Sequence, residues 1–165
     1  MTDPYGLSSL KSRANARKKE NKKLAAKIKT KHSREVDTIV HQLHEEAFEH
    51  INCLECANCC KTISPIVTDH DISRISRKLR MKPSEFVEKY LRMDDEHDYV
   101  FRQTPCPFLG DDNYCAVYAI RPKACADYPH TDRPKFKQAL SISLKNTQTC
   151  PAVYEIFEKL REAKL

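Results

Sequence analysis

The sequence predicts an α+β chain that is mainly α, with a long N-terminal amphipathic helix, at most a short two-stranded sheet, and an irregular middle. Three observations carry this reading. Apolar residues recur at helical spacing over residues 36–51. Only two short stretches, Tyr99–Phe101 and residues 140–144, alternate or branch as strands do. Residues 104–134 are dense in Pro, Cys, Asp and Tyr and show no sustained period. The 165 residues are 40% hydrophobic and 32% charged, enough for one modest core plus an arm. Two glycines and no tryptophan argue against a β-barrel or a glycine-rich nucleotide fold, which need tight turns or phosphate loops.

Taken in order, residues 1–34 are expected to be a basic arm, helical or frayed, and residues 35–165 the cysteine-bearing domain. The arm has no proline or glycine after Gly6 and is rich in helix formers. Val36, Ile39, Val40, Leu43, Ala47 and Ile51 then mark one face of a helix running to about His50. Residues 53–61 form a cysteine loop, and residues 62–67, with Pro65, a short extended stretch. Thr68 or Asp69 reads as an N-cap for a helix with Ile72, Ile75 and Leu79 as its stripe. Pro83 opens a second short helix with Phe86, Val87, Tyr90 and Leu91 facing in. A helical turn is expected over residues 116–120. The alternation of Leu140, Ile142 and Leu144 reads as a strand pairing with Tyr99–Phe101. Cys150-Pro151 begins the last helix, with Val153, Ile156, Phe157 and Leu160 as its stripe.

The cysteines carry the chemistry. Cys53-x2-Cys56-x2-Cys59-Cys60 puts four thiols in eight residues, more than core packing requires. Iron–sulfur ferredoxins use such a C-x2-C-x2-C run with a remote Cys-Pro, and here Cys106-Pro107 and Cys150-Pro151 both offer one. Cys115 and Cys125 lie near Cys106 in sequence; taken alone they read equally well as small buried residues. Adjacent side chains of an extended backbone point to opposite faces. On that premise one of Cys59 and Cys60 joins Cys53 and Cys56, while the other points toward the remote cysteines. The predicted metal ligands are thus Cys53, Cys56, Cys59, Cys60, Cys106, Cys115, Cys125 and Cys150, holding an iron–sulfur cluster or, alternatively, zinc. Zinc ribbons use two C-x2–4-C knuckles, which this spacing does not supply. Thioredoxin-like use of Cys56-x2-Cys59 lacks its βαβ surroundings. With metal as the staple, the fold is a small irregular metal-stapled domain.

The same residues resemble the signature of the YkgJ-type cysteine-cluster family, whose domain is described as zinc- or iron-chelating. The resemblance rests on Cys53-Leu54-Glu55-Cys56-Ala57-Asn58-Cys59-Cys60 and on Pro105-Cys106-Pro107-Phe108-Leu109. It continues through Cys115-Ala116-Val117-Tyr118-Ala119-Ile120-Arg121-Pro122-Lys123-Ala124-Cys125 and Tyr128-Pro129. It implies that Cys53, Cys56, Cys59, Cys60, Cys106, Cys115 and Cys125 chelate, with Cys150 an addition. One branch of the family is the flagellin lysine N-methylase group, which implies a link to protein lysine methylation. Arg121 beside these thiols is suited to neutralise an anionic centre or to form a surface ion pair. Asp127, Tyr128 and His130 can support it by hydrogen bonds, supply a further ligand, or serve structure alone. His41 and His44, three apart on the long helix, read as exposed histidines, and no paired-carboxylate or Ser-His-Asp arrangement stands out.

Charge is unevenly placed. Between Leu10 and Arg34 eleven Lys and Arg face one acid, Glu20, so this segment carries +10 and the remainder −4. The residues thus point to a metal-cluster protein or a zinc-stabilised interaction module whose arm binds RNA or another acidic partner, and the resemblance alone implies an accessory or enzyme related to lysine N-methylation. Residues 1–10 lack a signal-peptide core and no apolar run reaches membrane length, so a cytoplasmic location without membrane is expected. In that reducing compartment the thiols are expected as ligands, not disulfides.

Overall fold

The computed structural model describes residues 3–163; residues 1, 2, 164 and 165, at the ends of the two expected domains, lie outside it. In chain order the helices are α1 (Leu7–Ala16), α2 (Lys18–Thr30), α3 (Ser33–Phe48), α4 (Cys53–Cys56), α5 (Asn58–Thr62), α6 (Asp69–Lys78), α7 (Pro83–Tyr90), α8 (Lys123–Asp127), α9 (Phe136–Asn146) and α10 (Pro151–Glu162). Strands β1 (Leu91–Met93) and β2 (Tyr99–Phe101) form the one two-stranded sheet among the described residues. This is the α+β, mainly α, class that the sequence predicts. The chain divides into two compact units. The first comprises Met1–Cys56 with Pro129–Leu165, the second Ala57–Tyr128.

The first unit is a helical bundle. Helix α3 packs on α9 and α10, α2 packs on α9, and α1 packs on α10. Val36, Val40 and Ala47 bury the face that their spacing marks, and Val153, Ile156, Phe157 and Leu160 of α10, which packs on α3, are buried as well. Where the sequence admits a helical or a frayed start, the chain is helical from Leu7. Leu10, Ala14, Leu24, Ala25 and Ile28 are buried with this core. Asn21, on the same stripe of α2, is buried too, and its side-chain oxygen accepts from the Arg161 guanidinium of α10.

Residues 140–144 are not a strand but part of α9, which corrects the sequence reading. Phe136, Leu140 and Ser143 bury at i, i+4, i+7, while Ile142 is 44% exposed. Five alternating residues satisfy either period. The Asp37 carboxylate of α3 decides it, accepting from the Lys135 and Phe136 amides (2.8 and 2.9 Å) where α9 begins.

The second unit has its own core of Val67, Ile72, Ile75, Phe86, Leu91, Phe101, Phe108 and Val117. Thr68 is the N-cap of α6. Its hydroxyl accepts from the Asp71 amide (3.2 Å), and the Asp71 carboxylate accepts from the Thr68 amide (3.1 Å). Pro83 opens α7 as expected. Leu91, read as the end of that helix, instead starts β1 and buries from the strand. The sheet is antiparallel, with Leu91 opposite Phe101 and Met93 opposite Tyr99. Residues 94–98 make its turn: Asp94 Oδ1 accepts from the Glu96 and Asp98 amides. The irregular middle also has more core than its composition suggests. Phe108 is buried among the rings of Phe86, Tyr90 and Phe101, with centroids 4.9–6.3 Å away.

Candidate metal centre

All eight cysteines are thiols in the structure. The change of unit after Cys56 divides the dense run, and Ala57, the N-cap of α5, has a left-handed backbone, φ +46°. Cys53, Cys56 and Cys150 belong to the first unit. Cys59, Cys60, Cys106, Cys115 and Cys125 belong to the second.

In the second unit, Cys59 and Cys60 sit in α5, so their backbone is helical and not extended. Their Sγ atoms are 3.9 Å apart. Two sulfurs on one tetrahedral ion with bonds of about 2.3 Å lie about 3.8 Å apart, so this pair fits a single ion, against the premise of opposite faces. The Cys106 amide donates to the Cys60 carbonyl (2.8 Å), tying the next loop to α5. That loop returns through a bridge between Leu109 and Cys115, and Cys106 and Cys115 both pack against the aromatic core.

Cys125 is delivered by α8, whose start is fixed from α6. Asp71, only 2% exposed, accepts from the Lys123 amide through Oδ1 (3.1 Å) and from the Arg74 guanidinium (2.7 Å). Arg74 also donates to the Arg121 carbonyl (2.9 Å). The task of Asp71 in holding α8 was missed by the sequence reading. The Thr68-x2-Asp71 pattern flags the cap, but nothing local flags a partner 52 residues away.

Four of these thiols feel one another's charge. Hydrogen bonding from Cys59 brings the Cys60 thiol down to about 7 against the cost of burial. Burial pushes Cys106 up to about 11 and Cys125 up to about 12, and the charges of Cys60 and Cys115 push the same way. Cys115 is raised mainly by burial and further by Cys60. Arg121 opposes this at Cys115 and Cys125, with its guanidinium 4.1 Å from the centre of the Tyr118 ring. Asp127 pairs with Lys123, within α8.

In the first unit, Cys53 and Cys56 are one turn apart on α4, and Cys150 is the residue at which α10 begins. Burial, then the charges of Cys53 and Cys56, push the Cys150 thiol up to about 12, against the pull of the Val153 and Ala152 amides. Exposed Cys53 lines a cavity of about 530 Å³ with Tyr5, Asn52 and Glu55. The Tyr5 hydroxyl donates to Glu55 (2.9 Å). His44 is not a plain surface residue: its Nδ1 lies 2.8 Å from the Thr131 hydroxyl and its ring packs on Phe48. His41 is exposed, as expected, and His130 contacts Arg133.

Among the described residues no three His, Cys, Asp or Glu side chains stand at the spacing of one ion's ligands. The donor set still fits a soft metal in kind. Burial and neighbouring charge hold most of these thiols protonated, so a bound cation is what would draw them into thiolates together, and sulfur is the ligand that zinc and iron–sulfur centres share.

Fold and thiols together define a small, mainly helical cysteine-cluster protein. A family model, CxxCxxCC, described as "Putative zinc- or iron-chelating domain", matches residues 52–151, and the chain belongs to that family. It is a metal-binding cysteine-cluster protein, in agreement with the resemblance carried by residues 53–60. No curated protein and no solved structure matches it significantly. Among the described residues no helix is long and apolar enough to cross a membrane.

Proposed function

We propose that the protein holds an iron–sulfur cluster through thiolates of its second unit: Cys60, Cys106, Cys115 and Cys125, with Cys59 beside them. The observation that supports this is that Cys106 and Cys115 pack against one aromatic core while the Cys106 amide donates to the Cys60 carbonyl, which ties α5 to that loop. No two cysteines of that unit make the C-x2–4-C knuckle typical of structural zinc, and Cys106 precedes proline as in ferredoxin-type ligation. When bound, such a cluster supplies electron transfer or Lewis acidity. The chain's own part is to exclude water with Phe108 and Val117, to fix Cys125 through Asp71, and to offset anionic charge with Arg121. Cys53, Cys56 and Cys150 form a second, three-thiol set in the first unit.

A second reading, zinc, is favoured by the 3.9 Å between the Cys59 and Cys60 sulfurs. One experiment separates them: anaerobic purification, an absorption spectrum, and iron, sulfide and zinc counts. The cluster reading expects a brown protein absorbing near roughly 400 nm, with iron and sulfide in similar amounts. A colourless protein with stoichiometric zinc refutes it. Serine at Cys106 or Cys125 is expected to abolish the colour, and an unchanged spectrum in both variants removes those residues from the site.

A further inference from the structure

Outside the cysteines, the least explained feature is the outer face of α2. At 100° per residue, Asn21, Leu24, Ala25 and Ile28 form the buried stripe. Lys18, Lys19, Lys22, Lys23, Lys27 and Lys29 occupy the opposite half of the helix surface, all exposed, within about 16 Å of axis. The only other side chains in that arc are Ala26 and Thr30.

The arginines of the basic segment are used differently. Arg13 lies over the Tyr154 ring and donates to the Gly6 carbonyl, and Arg17 pairs with Glu20 and Glu158. Glu20, the one acid of the helix, is drawn off by Arg17 and Arg161. None of the six lysine ammonium groups has an ion pair or hydrogen-bonded partner among the described residues.

We propose that this lysine face binds the phosphodiester backbone of a nucleic-acid duplex. Six like charges on one rigid face repel one another, and a polyanion with regularly spaced charge relieves that repulsion. A membrane surface fits less well, because an interfacial helix must offer its apolar face to lipid, and that of α2 is buried in the bundle. An acidic protein also fits less well, since protein interfaces are depleted in lysine and centred on apolar or aromatic residues, which this arc lacks. The missing aromatics likewise argue against single strands, whose bases stack on rings. Lysine contacts to phosphate carry no base readout, so the binding is independent of sequence and similar for RNA and DNA duplexes.

The test uses the full, metal-loaded chain and fluorescence anisotropy with labelled 20-base-pair duplex RNA, duplex DNA and single strands, about two helical turns being ample for the face. With up to six phosphates neutralised, the slope of log affinity against log salt is expected near −5. That is a loss of about a thousand-fold between 50 and 200 mM. K19Q/K22Q/K23Q keeps good helix formers and is expected to cut the slope by about half. K78Q/K89Q/K145Q, which removes three exposed lysines elsewhere, is expected to leave it nearly unchanged. Circular dichroism and metal counts check that each variant is folded. No duplex binding at 50 mM salt overturns the proposal. So does an equal loss in the control triple, tighter binding to single strands, or binding to phosphatidylserine vesicles without binding to duplex. The inference stands apart from the metal reading, since the spectrum and metal counts test the thiols and leave this face untouched.

Discussion

Asp71→Asn tests how the second unit delivers Cys125. The native carboxylate takes four hydrogen bonds. Oδ2 accepts from the Thr68 amide and hydroxyl (3.1 and 2.7 Å), and Oδ1 accepts from the Arg74 guanidinium and the Lys123 amide (2.7 and 3.1 Å). An asparagine keeps one accepting oxygen and turns an NH2 toward the other pair of donors. Either the α6 cap or the α8 anchor is then lost. Bonds to a charged partner contribute about 1.5–3 kcal/mol each, and relaxation recovers part, so a net loss of about 2–4 kcal/mol is expected. For a chain of this size that lowers Tm by roughly 4–16 °C. Urea unfolding followed by circular dichroism, together with the rate of metal loss to a chelator, measures both consequences. Metal should leave faster, because the α8 start that carries Cys125 is no longer pinned. A midpoint within about 0.5 kcal/mol of wild type, an ordinary surface effect, refutes the anchoring argument, as does an unchanged rate of metal loss.

Acid should destabilise the protein in two stages. Burial holds His44 below its ordinary 6.5, so the unfolded chain binds the extra proton first; stability declines as pH falls from about 6.5 toward the folded value. His44→Gln is expected to flatten that part of the curve, and an unchanged slope between pH 7 and 5 argues against it. Burial raises Asp71 and Glu155, but their hydrogen-bonded partners (Thr68, Arg74 and Lys123; Lys159 and His50) outweigh it and leave both below ordinary values. Their contribution is therefore full above the ordinary carboxylate range and lost as pH falls through the lowered values. Ile28→Ala, at a fully buried position of α2, should cost about 2–5 kcal/mol in urea unfolding. A cost under about 0.5 kcal/mol would show that the basic segment contributes nothing to the core.

Long periodic stretches were legible from sequence. The α3 face, the Thr68 cap, Pro83 and Pro151 at helix starts, and the β2 strand all follow from local rules that no tertiary contact overrides. Two elements were not legible because short patterns satisfy two periods at once. Leu91 continues the α7 stripe as well as it begins a strand, and Leu140, Ile142 and Leu144 fit α9 as well as a sheet. Cysteine type and spacing announced the thiols, but not how they divide. The run is divided after Cys56, where Ala57 has a positive φ, a conformation that alanine seldom takes and that neighbouring residues do not signal. Spacing also suggested that Cys59 and Cys60 diverge. The helical backbone of α5 brings their sulfurs together instead.

Whether metal or core holds the irregular middle is decided by Phe108. Composition suggested that residues 104–134 lack apolar support, which would make metal their main staple. The structure seats Phe108 on Phe86, Tyr90 and Phe101, between Cys106 and Cys115, and the Ala116 amide donates to the Phe108 carbonyl (2.8 Å). Burying a phenylalanine this fully contributes about 3–5 kcal/mol by the cost of its truncation, enough to keep the turn closed without metal. Chelation should therefore release α8 more than this loop. In hydrogen exchange, the Cys125 and Ala126 amides, which donate to the carbonyl of Pro122 just before α8, should lose protection on metal removal, while Ala116 keeps most of its own. Phe108→Ala should reverse the pattern, exposing Ala116 even with metal bound. If Ala116 exchanges at the unfolded rate as soon as metal leaves the wild-type chain, the ring cluster is not the staple, and metal alone closes this loop.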